Sequence, residues 1–457
     1  MHQALLVPEV LLEIFAYVNT LPSTQTTPTQ KLLAALARTC KIFHEPAMDL
    51  LWTEIYGDTR WDNSYKPWAK GVEPLSAHEA HQFLRHSSRI RILNIKSEHP
   101  HLLSVIPAEA CVFPRLKSLS LSTTYLNHFL PRMLHRCHLL SVNEGLQSFV
   151  TCCVALEHLC IYAPQANDDD STANELSLLS DRIRCCTRLV TLACPMLDWS
   201  AWKHLSCLPT LLRLDIVEGP INPPSLPKQD IVNLSFLNIT SLSFGRMNNA
   251  ADFITVIQHS QFPSMKEFNF ETCALSSEEA KQLFHALSHC NACRTLEEIS
   301  ICSYEGRSAG NDESLRPIPH FFCFTQLRTL KLMLNSLHIY LDNDMFLQAM
   351  SSWPHIRTLK IEEPEPSSEI TLRELFTALG LCPQLRTLLV PIILVTIDID
   401  PDAEPIQHTS LRSLALELSE FQTADAETIA RIISAWLPCV GLVRDPSWDE
   451  VNSHLDL

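Results

Sequence analysis

One spacing constrains this chain more than any other: an apolar residue, a second three positions on, and a third two positions after that. The regular copies are Leu327-x-x-Leu330-x-Leu332, Ile356-x-x-Leu359-x-Ile361, Leu385-x-x-Leu388-x-Val390 and Leu411-x-x-Leu414-x-Leu416. Less regular copies begin at Ile90, Leu116, Leu156, Leu189, Leu211, Ile239, Met265 and Leu296. The last two apolar positions of each copy are two apart, so they share one face of a short strand. Such a strand cannot bury a face alone, whereas stacked copies share a continuous core. From Met265 onward the copies recur at a near-constant interval, which is the period of a repeat architecture.

Helical segments separate the copies. Ser276-x-x-Glu279 and Thr371-x-x-Glu374 read as capping boxes. The helices they open carry Ala280, Leu283, Phe284 and Leu287, and Leu372, Leu375, Phe376 and Leu379. A last helix is expected over about Ala424 to Leu437. A strand, a turn and a helix in every ~25–30 residues predict a solenoid with parallel strands on the concave face and helices on the convex face. Pro223-Pro224, the Asp168–Asp170 loop and Ser303–Pro319 read as insertions between repeats.

With 457 residues and 46% hydrophobic content, the chain can bury a large core and more than one unit. A formal net charge of −16 argues against nucleic acid and anionic membrane surfaces as partners. The longest apolar run, Leu388 to Ile399, is interrupted by Pro391, Thr396 and Asp398 and is too short to span a bilayer. No basic segment precedes the first apolar residues, so a signal peptide is not expected. The 17 cysteines sit mostly at apolar positions, which suits buried thiols in a reducing, cytoplasmic or nuclear setting.

The first residues have a different pattern. Val7-Pro8-Glu9 is a helix start with proline at a position where a missing N–H costs nothing. Val10, Leu11, Ile14, Phe15 and Val18 follow at helical period. Asn19 to Gln30 reads as a polar loop, Lys31 to about Phe43 as a second helix with Leu32, Leu33, Leu36 and Cys40, and Pro46 as the start of a third with Met48, Leu51, Trp52 and Ile55. Three short helices carrying this much apolar surface call for a partner surface. Gly57 to Leu75, with Trp61, Tyr65 and Trp68, reads as a linker packed on its neighbour, and Ser76-x-x-Glu79 caps the helix leading to Ile90.

Residues 4–56 resemble an F-box: a Pro-Glu helix start, Leu-x-x-Ile-Phe, an apolar helix with a cysteine and an aromatic, then Leu51-Trp52. The whole layout resembles fungal F-box proteins with a leucine-rich-repeat-like C-terminal region. The expected division is residues 1–56 as the F-box-like helical domain, 57–88 as linker and capping helix, and 89–457 as the repeats. The resemblance implies that Pro8, Leu11, Ile14, Phe15, Leu36, Phe43 and Trp52 meet a Skp-type adaptor, and through it a cullin complex. The repeats would hold a target protein, making the chain the substrate-recognition adaptor of a ubiquitin ligase. The alternative is a repeat scaffold or sensor with no ligase role. The repeats also depart from the leucine-rich pattern, because only Cys273 and Asn335 fill the position three residues after the last leucine.

No residues point to catalysis. His285-x-x-x-His289-Cys290-x-x-Cys293 has zinc-like spacings but sits at one helix end, where histidine and cysteine are common core or capping residues. Asp168-Asp169-Asp170 lacks the spaced ligands and glycine of a calcium loop and reads as a solvated turn. No nucleotide, protease, hydrolase or kinase motif occurs, so no enzyme activity, cofactor or metal is expected. The candidate target surface is the concave strand face, with Tyr162, Asp215, Asn269, Glu271, Lys331, Lys360, Glu362 and Glu417, and earlier Asn94, Lys96 and Ser120. Its mixture of charges, small polar groups and an aromatic suits protein recognition.

Overall fold

A computed structural model of the chain describes residues 26–56, 76–95, 113–121, 134–139, 155–162, 169–217, 230–248, 250–304, 315–335, 337–362, 368–394, 407–421, 426–444 and 448–455, with residues 146, 226, 397 and 399 between them. The chain divides into two compact units, residues 1–164 with 170–189, and residues 165–169 with 190–457. The expected first helix, with Pro8, Leu11, Ile14 and Phe15, and the aromatics Trp61, Tyr65 and Trp68 lie outside the described residues, as does Lys96.

In the first unit, helices Thr26–Thr39 and Lys41–Thr53 lead into strand β1 (Glu54–Tyr56). A capped helix, Ala77–His86, precedes β2 (Ile92–Ile95), β3 (Ser118–Leu121), β4 (Arg136–Leu139) and β5 (His158–Ile161). Each of these strands pairs in parallel with the next. Helix Asp169–Arg184 follows.

The structure corrects several sequence expectations here. The first described helix begins at Thr26, inside the stretch expected as a loop, and Pro28 is accommodated in its first turn, where no N–H is needed. The next helix begins at Lys41, so Pro46 lies inside it rather than opening it. Five residues into the helix, Pro46 lacks the N–H that would reach the Ile42 carbonyl. Asp169 and Asp170 open a helix instead of forming a turn. Strands β1 and β4 were not foreseen. In β4, Cys137 takes the place of the middle leucine between Leu134 and Leu139, and all three are buried.

The second unit carries the regular repeats. Its main strands are β6 (Thr191–Cys194), β7 (Arg213–Val217), β9 (Ser241–Met247), β11 (Glu267–Thr272), β12 (Glu298–Ser303), β13 (Thr329–Leu334), β14 (Thr358–Glu362), β15 (Thr387–Leu394), β16 (Ser413–Phe421) and β17 (Val443–Arg444). All are parallel and follow one another in chain order, except that the short pair β8 (Leu234–Ser235) and β10 (Ser260–Gln261) forms a separate ribbon. Parallel strands in chain order, joined by helical crossovers, make a solenoid of the leucine-rich-repeat type. Strand β17 was a further one that the triplet spacing missed.

The register explains the spacing. Leu192, Leu214, Leu242, Phe268, Ile299, Leu330, Leu359, Leu388, Leu414 and Val443 occupy one aligned row, and all are buried. The row two residues on, from Cys194 to Leu416, is buried as well. Burying each such leucine is worth about 1.5–3 kcal/mol. Helices Trp199–Ser206, Ala250–Gln258, Ser277–His289, Asn343–Ser352, Leu372–Leu381 and Ala426–Trp436 turn their own apolar stripes to this core. Ser276 and Glu279 close a reciprocal capping box, as do Ser76 and Glu79. Thr371 does not, because its hydroxyl donates to Glu374 and its N–H goes to Asn343 Oδ1 at 3.1 Å.

A second repeated feature fixes where each strand starts. Three residues before the first apolar residue of the triplet there is usually another one, followed by proline in six copies: Phe113-Pro114, Leu208-Pro209, Phe262-Pro263, Trp353-Pro354, Cys382-Pro383 and Leu437-Pro438. The carbonyl of this residue accepts the N–H three residues on, as in Ile356 to Trp353 at 3.0 Å and Leu385 to Cys382 at 3.0 Å. Proline suits the second position of such a turn because its φ is already set. His408 takes the same place, but its ring forms the turn. Leu411 N–H donates to Nδ1 at 3.2 Å, so Nε2 carries the proton and donates to the Cys382 carbonyl at 2.9 Å. Among the described residues no asparagine ladder replaces these turns: Asn335 is exposed and bonds the Tyr304 carbonyl at 3.5 Å.

Candidate functional site

Alternation along each strand leaves every second side chain on the open face, which the helices do not cover. In the second unit this face has three aligned rows. The middle row runs Asp215, Ser243, Asn269, Ser300, Lys331, Lys360, Leu389, Ala415 and Arg444. The structure therefore brings four of the expected site residues, Asp215, Asn269, Lys331 and Lys360, into one line. Glu271 and Glu362 lie in the next row, with Cys302 and Met333 between them, and Glu417 lies opposite Pro391 on the following strands. Tyr162 belongs to the first unit, at the end of β5. It is 45% exposed and stands edge-on to His138, with ring centres 5.1 Å apart. His138 Nδ1 in turn meets Ser120 Oγ at 3.0 Å, and Asn94 is the register partner of Ser120.

Charge is not spread evenly over the face of the second unit. Its earlier strands are acidic. Burial raises the carboxyl of Asp215, with Glu267 adding to the shift and Arg213 opposing it. Asn269 Nδ2 bridges Ser243 Oγ and Glu271 Oε1, each at 3.3 Å. The later strands carry mainly cations in the rows nearest their entrances, with Glu362 and Glu417 in the row beyond. Lys331 and Lys360 are register partners, and at the strand entrances Arg328, Arg357, Arg386 and Arg412 are linked one to the next by their backbones. Between these two lines runs a row of hydroxyls, Thr329, Thr358, Thr387 and Ser413. A shallow groove of about 450 Å³ follows that row from Glu298 to Arg444. The strand-entrance arginines were not foreseen as site residues. The signal was present in the sequence as Leu-Arg-Thr-Leu at 327–330 and 385–388 and as Ile-Arg-Thr-Leu at 356–359.

The expected adaptor contacts fall in the first unit. Leu36 and Phe43 pack half-buried around Leu33, Ala37 and Ala47, together with Met48, Leu50 and Leu51. Trp52 is stacked on His86, with ring centres 4.4 Å apart and an interplanar angle of 18°, so its face is already covered within the chain. Arg89 forms ion pairs with Glu45 and Asp49 and so ties the helix Lys41–Thr53 to the turn before β2.

The histidine–cysteine cluster packs as helix-end structure. The His285 and His289 rings lie 4.2 Å apart, and His289 Nδ1 meets the His285 carbonyl at 2.8 Å. Asn291, at φ 63°, makes the left-handed turn that ends the helix. Burial pushes the Cys290 thiol up to about 11, and burial together with a hydrogen bond to Cys293 pushes Cys323 up to about 12. Among the described residues no three histidine, cysteine or acidic side chains converge on a metal position. The described cysteines are all free thiols. Among the described residues no helix is long and apolar enough to cross a membrane.

No protein-family model matches the chain, and no curated protein is similar to it. Among solved structures it is similar to the yeast Rad7 and Elc1 complex, at 14% identity over 78% of this chain and 88% of that one, with a TM-score of 0.36. It is similar to the leucine-rich repeat-containing protein LegL7 from Legionella pneumophila, at 12% identity over 80% and 98%, with a TM-score of 0.29. A third is the TLR13–ssRNA13 complex, at 14% identity over 74% and 56%, with a TM-score of 0.33. The strand ladder itself carries the conclusion: the chain is built as a leucine-rich-repeat-like solenoid.

Proposed function

We propose that the chain is a non-enzymatic adaptor that binds a Skp-type subunit through its N-terminal helices and a target protein through the open strand face. The adaptor would deliver the target to a cullin-based ubiquitin ligase. The observation that carries this reading is the unfinished core of the two described N-terminal helices. Among the described residues only Leu33, Ala37 and Ala47 are buried there, the larger side chains around them are half-covered, and Leu32 and Ile42 are each 45% exposed. A helical surface of this kind is completed by another protein. The chemistry would be proximity alone, with tethering raising the effective concentration of target lysines near the charged ubiquitin carrier.

One observation favours the rival reading, a repeat scaffold without a ligase role. The helix Lys41–Thr53 runs directly into β1, which pairs with β2, and Trp52 is held by His86, as in a cap on the first strands. Co-purification separates the two. The adaptor reading expects the intact chain to retain a Skp-type subunit and Ile14→Asp with Phe15→Asp to release it. An intact chain that retains none overturns it.

A further inference from the structure

We infer that the cationic end of the open face, over β13–β17, is a docking strip for a short carboxylate-rich peptide segment of a partner protein. This names the partner class for the target-binding surface proposed above and rests on that reading. Lys331 and Lys360 sit side by side in register, an arrangement in which like charges repel. Among the described residues neither has an ion pair within 4.0 Å, and the same holds for Arg357, Arg386 and Arg412. Arg328 alone in its row is neutralised, by Glu297 at 3.1 Å. Unpaired cations aligned on a rigid sheet are a surface waiting for anions, and the hydroxyl row between the two lines adds donors for the same ligand.

Size and field select the anion. Strands lie about 4.8 Å apart, so the row from Arg328 to Arg412 is about 14 Å long, the reach of four to five extended residues. That is short for a nucleic-acid backbone, which binds through many phosphates. The chain as a whole carries a net charge of −16, which repels a long polyanion before it arrives. A few carboxylates within an otherwise neutral or basic partner escape that repulsion and still meet the local cations. Leu389 and Ala415 separate Lys360 from Arg444 in the middle row and leave room for one apolar side chain beside the acidic ones.

The test is fluorescence anisotropy on the full chain. The probes are a fluorescein-labelled twelve-residue peptide with a central Glu/Asp run, its Gln/Asn counterpart, and a single-stranded DNA of equal charge. The inference expects the acidic peptide to bind, the neutral one not to, and the DNA to bind more weakly. Affinity should fall at least tenfold in the double variant Lys331→Glu with Lys360→Glu and in Arg386→Glu with Arg412→Glu, and should fall steeply with salt. Lys331 and Lys360 are half-buried on the open face and Arg386 and Arg412 are exposed at the strand entrances, so the variants should keep the native circular dichroism and melting temperature. Absence of peptide binding, undiminished binding by both folded variants, or tighter DNA binding overturns the inference. Ile14→Asp with Phe15→Asp should leave peptide binding unchanged, so loss of the Skp-type contact and loss of this site are read separately.

Discussion

Trp202 and Trp353 are both fully buried in the second unit, yet their ring N–H groups differ. Trp353 Nε1 donates to the Phe321 carbonyl at 3.0 Å, whereas Trp202 Nε1 is buried with no hydrogen-bond partner among the described residues. Replacing either by phenylalanine removes a few tens of Å³ of ring, which costs on the order of 1 kcal/mol at ~24 cal/mol per Å³ of cavity. In Trp353→Phe one hydrogen bond is lost in addition. The Phe321 carbonyl keeps the Phe324 N–H at 3.1 Å, so the further cost is that of a single bond, about 0.5–1.5 kcal/mol. In Trp202→Phe an unsatisfied donor leaves the core, which returns about 1–3 kcal/mol and cancels or exceeds the cavity cost. The expected order is Trp202→Phe near or above the native stability, and Trp353→Phe about 1.5–2.5 kcal/mol below it. Urea unfolding followed by far-UV circular dichroism measures both in one background, and the comparison holds if the slope m is unchanged. If Trp202→Phe destabilises as much as Trp353→Phe, hydrogen-bond pairing does not decide these sites and the reasoning fails.

Two further outcomes follow from titratable groups. Burial pushes the Cys382 thiol from 9.0 up to about 12, so it stays protonated while an unfolded thiol ionises. Stability should therefore fall as pH rises from about 9, a loss that Cys382→Ala removes. Cys382 should also resist alkylation in native protein while exposed Cys207 and Cys439 react, as peptide mass mapping will show. The hydrogen bond from Arg89 holds the Glu45 carboxyl below its usual range. That contribution is present above the unfolded pKa and is lost as pH falls through the folded one. Glu45 is largely exposed, so the effect is screened; acid titration should show a shallow early loss that Arg89→Met abolishes.

The triplet spacing made most of the strands readable because a buried row of leucines has to recur wherever a strand passes. It failed where another residue type fills the same volume, as with Cys137 in β4, or where the copy is cut short, as at Val443 in β17. The residues that start each strand were visible as apolar-Pro pairs, but nothing in their local periodicity shows that Trp353 and Cys382 occupy equivalent turns. The N-terminal helices were legible as apolar stripes, while their limits were not: Pro46 sits inside a helix because tertiary packing outweighs its local preference. Of the candidate surface, alternation revealed which side chains face outward, and no more.

The sequence by itself determined a repeat with one buried face, because period-two apolar residues at a fixed interval have no other way to leave water. It also determined the residues available on the opposite face. Only the tertiary structure decided which of those residues meet. Register aligns Lys331 with Lys360 and sets four arginines on successive strand entrances, although about thirty residues of chain separate each from the next. A charge pattern that depends on strand pairing is written in distances across the sheet, and those follow from how the repeats stack.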